Sequence, residues 1–220
     1  MRRAWRGSRA QDPAYDYLRT EILSRRFVSG RLLKEQLAKN VHMSSLREAL
    51  LRLELEGLVI VRPRRGYVVS SLDRNEIEDM FECRALLEAG AGRLAAKRRT
   101  EWDVDDLAIL LTNVERVAGE KPLDILKYQS ANMAFHDRLF NTSGRKQLCK
   151  TIRLLRDNTE RFIRISVSIA PSLEPALAEH RAILSAFEQG NVDETDRLCK
   201  LHCQQAAARL ILNLDTHVGS

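Results

Sequence analysis

The chain has 220 residues, of which 44% are hydrophobic and only 5% aromatic. That is enough for one large domain or a small one plus a medium one, and it favours Leu- and Ala-rich helices over a β-sandwich. A net charge of +6 suits an anionic partner but is by itself a weak sign of nucleic acid. No apolar run is long enough for a bilayer, and MRRAWRGSRAQDPAYDY contains no signal-peptide stretch. Cys83, Cys149, Cys199 and Cys203 lack CxxC spacing and read as reduced thiols, so the expected compartment is the cytoplasm, with no membrane partner.

In chain order, residues 1–12 are basic and polar. Pro13 opens a helix to about residue 25, with Tyr17, Leu18, Ile22 and Leu23 as its apolar face. Residues 27–30 form a turn, and 33–39 read as a second, short helix. Residues 45–56 make a third, with Leu46, Leu50, Leu53 and Leu55 apolar and Gly57 at its C-terminal end. Two β-branched strands, 58–61 and 67–69, flank the basic turn Arg62-Pro63-Arg64-Arg65-Gly66. From Asp73 to Leu214 the pattern is helical: 75–98, 103–118, 123–141, 146–168, 174–189 and 192–213, broken at Gly119, Pro122, Gly144, Pro171, Pro175 and Gly190. The fold class is therefore mainly α. A winged helix-turn-helix spans 1–72 and an all-α antiparallel helical bundle spans 73–220.

Three small helices and a two-stranded wing suit DNA. The third helix fits a major groove, and the wing tip reaches the adjacent backbone or minor groove. Arg47 and Arg52 lie on that helix, and Arg62, Arg64 and Arg65 crowd the wing, where guanidiniums neutralise phosphates. A single arginine would read as solvated surface; this cluster on this element order favours DNA.

The stretch LREALLRLELEGLVIVRPRRGYVV resembles the GntR family of bacterial transcription regulators, whose helix reads REAL-x-RLE, followed by EGL and a wing ending in RGxxV. The resemblance implies DNA contacts from Ser44, Ser45, Arg47, Arg52, Arg62, Arg64, Arg65 and Gly66. Members commonly read SRTPVREAL ahead of this helix, whereas this chain reads Ser44-Ser45-Leu46-Arg47-Glu48-Ala49-Leu50. Against that pattern two residues are absent between Ser44 and Ser45, one of them an arginine that members aim at bases.

In the helical half, three of the five histidines fall on core-facing stripes of different helices. His136 stacks on Asn132 one turn earlier, alongside Tyr128, Phe135 and Leu139. His180 sits amid Leu177, Ile183, Leu184 and Phe187. His202 shares a face with Leu198, Cys199 and Ala206. A lone inward histidine is more often a hydrogen-bonded core residue than a ligand; three, with an inward amide oxygen, point to a divalent metal such as zinc, nickel, manganese or iron. Arg84 falls in the apolar stripe of Ile77, Met80, Leu87, Ala91 and Leu94, so it needs an anion: a carboxylate from another helix, or a bound carboxylate ligand. Cys199 is a possible substitute ligand, Cys203 is packing, and the KRR run at 97–99 is a solvated helix end. His42 and His217 receive no role.

The segments EIEDMFECRALLEAGAGRLAA, NMAFHDRLFNTSG and EHRAILSAFEQGNVDETDRLCKLH resemble the FCD ligand-binding domain of the FadR-type branch of that family. The resemblance implies a divalent metal on Asn132, His136, His180 and His202, and a small organic acid bound at it with Arg84 as a carboxylate contact. Asn132 replaces the usual Asp, which lowers the charge of the donor set, and Arg145 stands where members often have Asn. The expected function is a ligand-responsive transcriptional repressor, not an enzyme, acting as a homodimer on a palindromic operator. The winged unit is expected to fold on a core of its own. The alternatives are a helical metalloprotein or enzyme, for which no general base stands beside the histidines, and a dimerisation module without effector.

Overall fold

The computed structural model describes residues 13–23, 26–27, 30–33, 43–170 and 172–218, with side chains for all of these except 43–45, 217 and 218. Among the described residues there are eight helices and a two-stranded sheet. They are α1 (Pro13–Leu23), α2 (Met43–Leu55), β1 (Val59–Arg62), β2 (Gly66–Val69), α3 (Arg74–Arg98), α4 (Glu101–Ala118), α5 (Ile125–Asn141), α6 (Lys146–Ile169), α7 (Glu174–Glu188) and α8 (Val192–Val218). The short helix expected over 33–39 lies mostly outside the described residues. The strands pair antiparallel, with Val59 opposite Val69 and Arg62 opposite Gly66, and Leu32 adds an isolated bridge to Val68.

Helix starts follow local capping chemistry. Pro13 opens α1, where its missing N–H costs nothing. Asp73 caps α3 by accepting from the Glu76 amide at 3.0 Å. Thr100 and Asp103 form a reciprocal capping box, which begins α4 at Glu101 rather than at 103. Asp124 caps α5 through the Lys127 amide, so that helix begins at Ile125 rather than 123. At the other end α8 continues to Val218, past the expected stop at 213.

Periodicity located the inward faces with small errors. In α1 the buried set is Tyr15, Leu18, Ile22 and Leu23, and Tyr17 is exposed, its ring edge-on to Phe27. In α2, Leu46, Ala49 and Leu53 are buried, whereas Leu55, expected inside, is 46% exposed. On α3 the inward stripe runs through Ile77, Phe81, Arg84, Glu88, Ala91 and Ala95.

Two cores result. The first joins the winged half to the bundle. Tyr15, Leu18, Ile22, Leu53, Leu58 and Val69 pack with Phe162 and Ile165 of α6 and with Leu210, Ile211 and Leu214 of α8. The winged half therefore does not fold on a private core. At roughly 1.5–3 kcal/mol per buried large side chain, the α6 and α8 contribution is comparable to the whole stability of a small domain. Gly57 lies in this junction with φ +78, and a Cβ there would stand 2.6 Å from the Arg161 carbonyl oxygen. Both the left-handed backbone and the close approach require glycine. Arg19 donates to the Ser168 carbonyl (3.0 Å) and to Glu56 (3.1 Å), adding polar ties. The second core lies within the bundle, around Leu107, Val114, Phe135, Leu139, Ile183 and Phe187.

Candidate functional site

The wing is a tight turn. The Arg65 amide donates to the Arg62 carbonyl at 3.0 Å, with Pro63 at the second turn position and Arg64 at the third, where φ is 64°. A positive φ at that position is what a type II turn requires, and glycine normally supplies it. A non-glycine residue there costs about 1–2 kcal/mol. Arg62, Arg64, Arg65 and Gly66 are all exposed, so the turn holds three guanidiniums at an open tip.

On α2, Arg47 is exposed and available to a groove. Arg52 is not equivalent to it: its guanidinium lies over the Tyr15 ring, 3.5 Å from the centroid. That cation–π contact ties α2 to α1. The side chains of Ser44 and Ser45, between which the family pattern has two more residues, lie outside the described side chains, as does His42. Leu51, half exposed one turn after Arg47, is an apolar residue on the outward face that the periodicity did not single out.

In the bundle, α5, α7 and α8 bring His136, His180 and His202 together, all buried, with one ligand atom of each lying within 4.8 Å of the others. Ring centroids are 4.8–5.0 Å apart, and His136 Nε2 and His180 Nε2 are 3.2 Å apart. Burial first, then the nearby Arg156 for His136 and the neighbouring His202 for His180, hold both imidazoles well below their usual pKa, hence neutral. Their Nδ1 atoms are buried and have no hydrogen-bond partner among the described residues. His202 Nδ1 lies 2.7 Å from Glu179 Oε2. Arg209 donates to both oxygens of the same carboxylate, at 3.0 Å to Oε2. A carboxylate on the outer nitrogen fixes a histidine's orientation and tautomer, the arrangement usual behind metal-ligating histidines. Three clustered imidazoles, two of them neutral with an unsatisfied ring nitrogen and the third oriented by a carboxylate, fit a divalent metal in their chemistry.

A cavity of about 230 Å³ adjoins the histidines, lined among others by Tyr128, Asn132, His180, His202 and Arg209. Asn132 is thus on the same wall as two of the histidines. Cys199 is not in the cluster of possible ligands. It packs on Gly92, where a Cβ would come 2.6 Å from its sulfur.

Arg84 is buried as expected, but its partner comes from its own helix. Its Nε donates to Glu88 Oε1 at 2.8 Å and its Nη1 to Thr159 at 3.1 Å. Glu88 also accepts from Arg156 at 3.4 Å and from the Cys203 thiol at 3.3 Å. Burial would raise the Glu88 pKa, but the charges of Arg84 and Arg156 outweigh it and hold the carboxyl at about 2. Arg84 does not line the cavity; the guanidinium that does is Arg209. Glu88, Arg156, Glu179 and Arg209 were not singled out from the sequence. Two signals were present: Glu88 one turn after Arg84, and Arg209 two turns after His202 on the same face.

A winged helix-turn-helix fused to a helical bundle with a buried polar centre is the architecture of a DNA-binding transcriptional regulator. This chain belongs to the GntR family of bacterial regulatory proteins and is a transcriptional regulator with an FCD domain. The profile described as "Bacterial regulatory proteins, gntR family" matches residues 10–69, and that of the FCD domain matches residues 79–205. The chain is 30% identical over 199 residues to the HTH-type transcriptional repressor GlaR of Escherichia coli K12, covering 86% of this chain and 90% of that one. It is 28% identical over 195 residues to the repressor RspR of the same organism, covering 87% and 84%. Among solved structures, E. coli McbR/YncC superposes with a TM-score of 0.61 at 20% identity, covering 91% and 96%. A GntR family member from Pseudomonas syringae pv. tomato DC3000 gives 0.56 at 25% identity, covering 92% and 86%. Among the described residues no helix is long and apolar enough to cross a membrane.

Proposed function

We propose that this regulator belongs to the FadR-type branch and represses transcription in the cytoplasm as a homodimer on a palindromic operator. In this reading it is not an enzyme. Its bundle holds a divalent metal on His136, His180 and His202, with Asn132 as an oxygen donor, and responds to a small organic acid bound there. The observation that carries this is the trio of buried imidazoles beside a cavity, two of them, His136 and His180, with orphan Nδ1 atoms and the third, His202, oriented by Glu179. When bound, the metal supplies a Lewis-acidic point for a carboxylate oxygen. Against an enzyme stands the lack of a ready base among the described residues: Glu88 and Glu179, carboxylates beside the centre, are both committed to guanidiniums.

In the same reading the effector's anionic end lies toward Arg209 rather than Arg84, since Arg209 lines the cavity and Arg84 is sequestered by Glu88. Ile163, Ser166 and Val167 of α6 and Ala206, Arg209 and Leu212 of α8 line the cavity. The same two helices supply Phe162, Ile165, Leu210, Ile211 and Leu214 to the core shared with the winged half. A ligand that ties α6 to α8 therefore acts on the elements that seat the DNA-reading unit. Its effect on DNA affinity equals its differential affinity for the two states, typically about 1–3 kcal/mol.

The test is an electrophoretic shift assay on the operator region beside the protein's own gene, combined with sedimentation. A two-fold dimer should bind a near-palindromic site. A monomer bound to one asymmetric half-site would refute the dimer. Failure to shift that DNA while binding an acid and metal would favour a metalloprotein of another class.

A further inference from the structure

The three-histidine centre brings no negative charge of its own. Its donors are imidazoles, which add no anionic group, and its neighbour on the cavity wall is the amide of Asn132. The neighbouring carboxylates are already engaged. Glu179 is engaged by His202 Nδ1 and Arg209, and Glu88 by Arg84, Arg156 and Cys203. Arg84 and Arg156 share the single carboxylate of Glu88, which leaves that buried group net positive. Arg156 keeps its Nε without a partner among the described residues. A divalent cation added to these surroundings is poorly compensated, and uncompensated buried charge is costly. An anion must enter with it.

The cavity indicates which anion. Its walls are largely apolar, including Ile163, Val167, Leu173, Ala176 and Leu212, and Arg209 is the one charged side chain among the lining residues described. With its first carboxylate on the metal and toward Arg209, a dicarboxylate would leave its second charge without a cation among the lining residues described. A cavity of 150 Å³ holds benzene; on that scale 230 Å³ takes a ligand of about ten non-hydrogen atoms.

We propose that this cavity takes a monocarboxylate with an apolar body, of about ten non-hydrogen atoms in all, and that its carboxylate supplies the anionic donor that Asn132 does not. Metal and acid then bind as an interdependent pair. The proposal rests on the metal reading of the three histidines. By linkage, whatever factor the acid adds to metal affinity, the metal adds to acid affinity. The regulator would respond to the two together rather than to either alone.

The test uses the metal-stripped full chain, titrated with zinc by calorimetry in the presence and absence of octanoate. Acetate serves as a headgroup without a body, and succinate as a dianion. Octanoate should tighten zinc by about tenfold or more, with acetate and succinate giving less than about threefold at equal concentration. Zinc should tighten octanoate by the same factor. Asn132→Asp should bind zinc without octanoate about as tightly as the parent does with it, and octanoate should then add less than about threefold. If octanoate leaves the parent's zinc affinity unchanged while His180→Ala abolishes zinc binding, the metal centre stands and the interdependence is overturned. If succinate surpasses octanoate, the ligand class is overturned. If the parent takes no zinc under any of these conditions, the metal reading falls and this inference with it.

Discussion

Replacing Glu88 by Gln should cost more stability than almost any other single polar change in the bundle. Glu88 is 1% exposed and is the shared counter-charge of Arg84 and Arg156, themselves 3% and 8% exposed. Its carboxyl is held at about 2 against a usual value of 4.5. A difference of that size, at about 1.4 kcal/mol per pH unit, corresponds to about 3–4 kcal/mol of stability. Removing one partner of a buried ion pair typically costs about 3–5 kcal/mol, since uncompensated charge stays behind. The two figures agree, and Glu88→Gln should lose about 3–5 kcal/mol in urea unfolding at neutral pH. The pH dependence has a definite sign. Because the folded-state pKa is depressed, the contribution is fully present above about 4.5 and disappears as pH falls toward about 2. The gap between parent and variant should therefore narrow over that window. Adding Arg156→Met to Glu88→Gln should recover part of the loss by removing one stranded guanidinium. A Glu88→Gln variant within about 1 kcal/mol of the parent at pH 7 would show that the cluster is not a buried ion pair and would reopen a ligand role for Arg84.

Gly57→Ala should destabilise the whole chain by about 2 kcal/mol or more, from the left-handed backbone and the clash with the Arg161 carbonyl. Thermal unfolding followed by both far-UV signal and DNA binding checks this, and an unchanged midpoint would contradict the shared core. In the wing, Arg64→Ala with Arg65→Ala should weaken specific and non-specific DNA alike and reduce the salt slope by about 1 for each phosphate no longer neutralised. Altered base preference with an intact salt slope would mean that the wing reads sequence. Arg209→Ala should blunt the response of DNA binding to carboxylates more than Arg84→Lys does, since Arg209 lines the cavity and Arg84 does not. A shift assay run with and without octanoate compares them, and an equal or reversed ranking would return the anionic end of the ligand to Arg84.

What could be read from the sequence was set by local physics. The 3.6-residue period places His136, His180 and His202 inside, because each sits one turn from a buried side chain on its helix: Leu139 and Phe140, Leu177 and Ile183, and Cys199 respectively. The same period buried Arg84 correctly. The choice of its partner was harder, since a same-helix Glu88 and a carboxylate from another helix satisfy the charge equally well until the bundle is assembled. The α2 face was misjudged at Leu55 for a related reason. Its short helix packs against α1 and β1, so an apolar residue near its end and off that face meets solvent. The shared core was invisible for lack of any periodic signal: Phe162, Leu210 and Leu214 reach the winged residues only through tertiary packing. Arg209 and Glu179 were within reach of a spacing argument, but neither has an unusual residue type to draw attention to it.

If His136, His180 and His202 form one metal centre in a DNA-binding regulator, the metal must leave with any one of them. The most direct measurement is elemental analysis of the full chain, purified without a histidine tag, beside His180→Ala and His202→Ala. The parent should hold close to one divalent metal per chain after loading with metal and octanoate and desalting in octanoate buffer. Each variant should retain almost none, while both still shift operator DNA. Equal metal in the parent and in both variants, or none in the parent under these conditions, would contradict it.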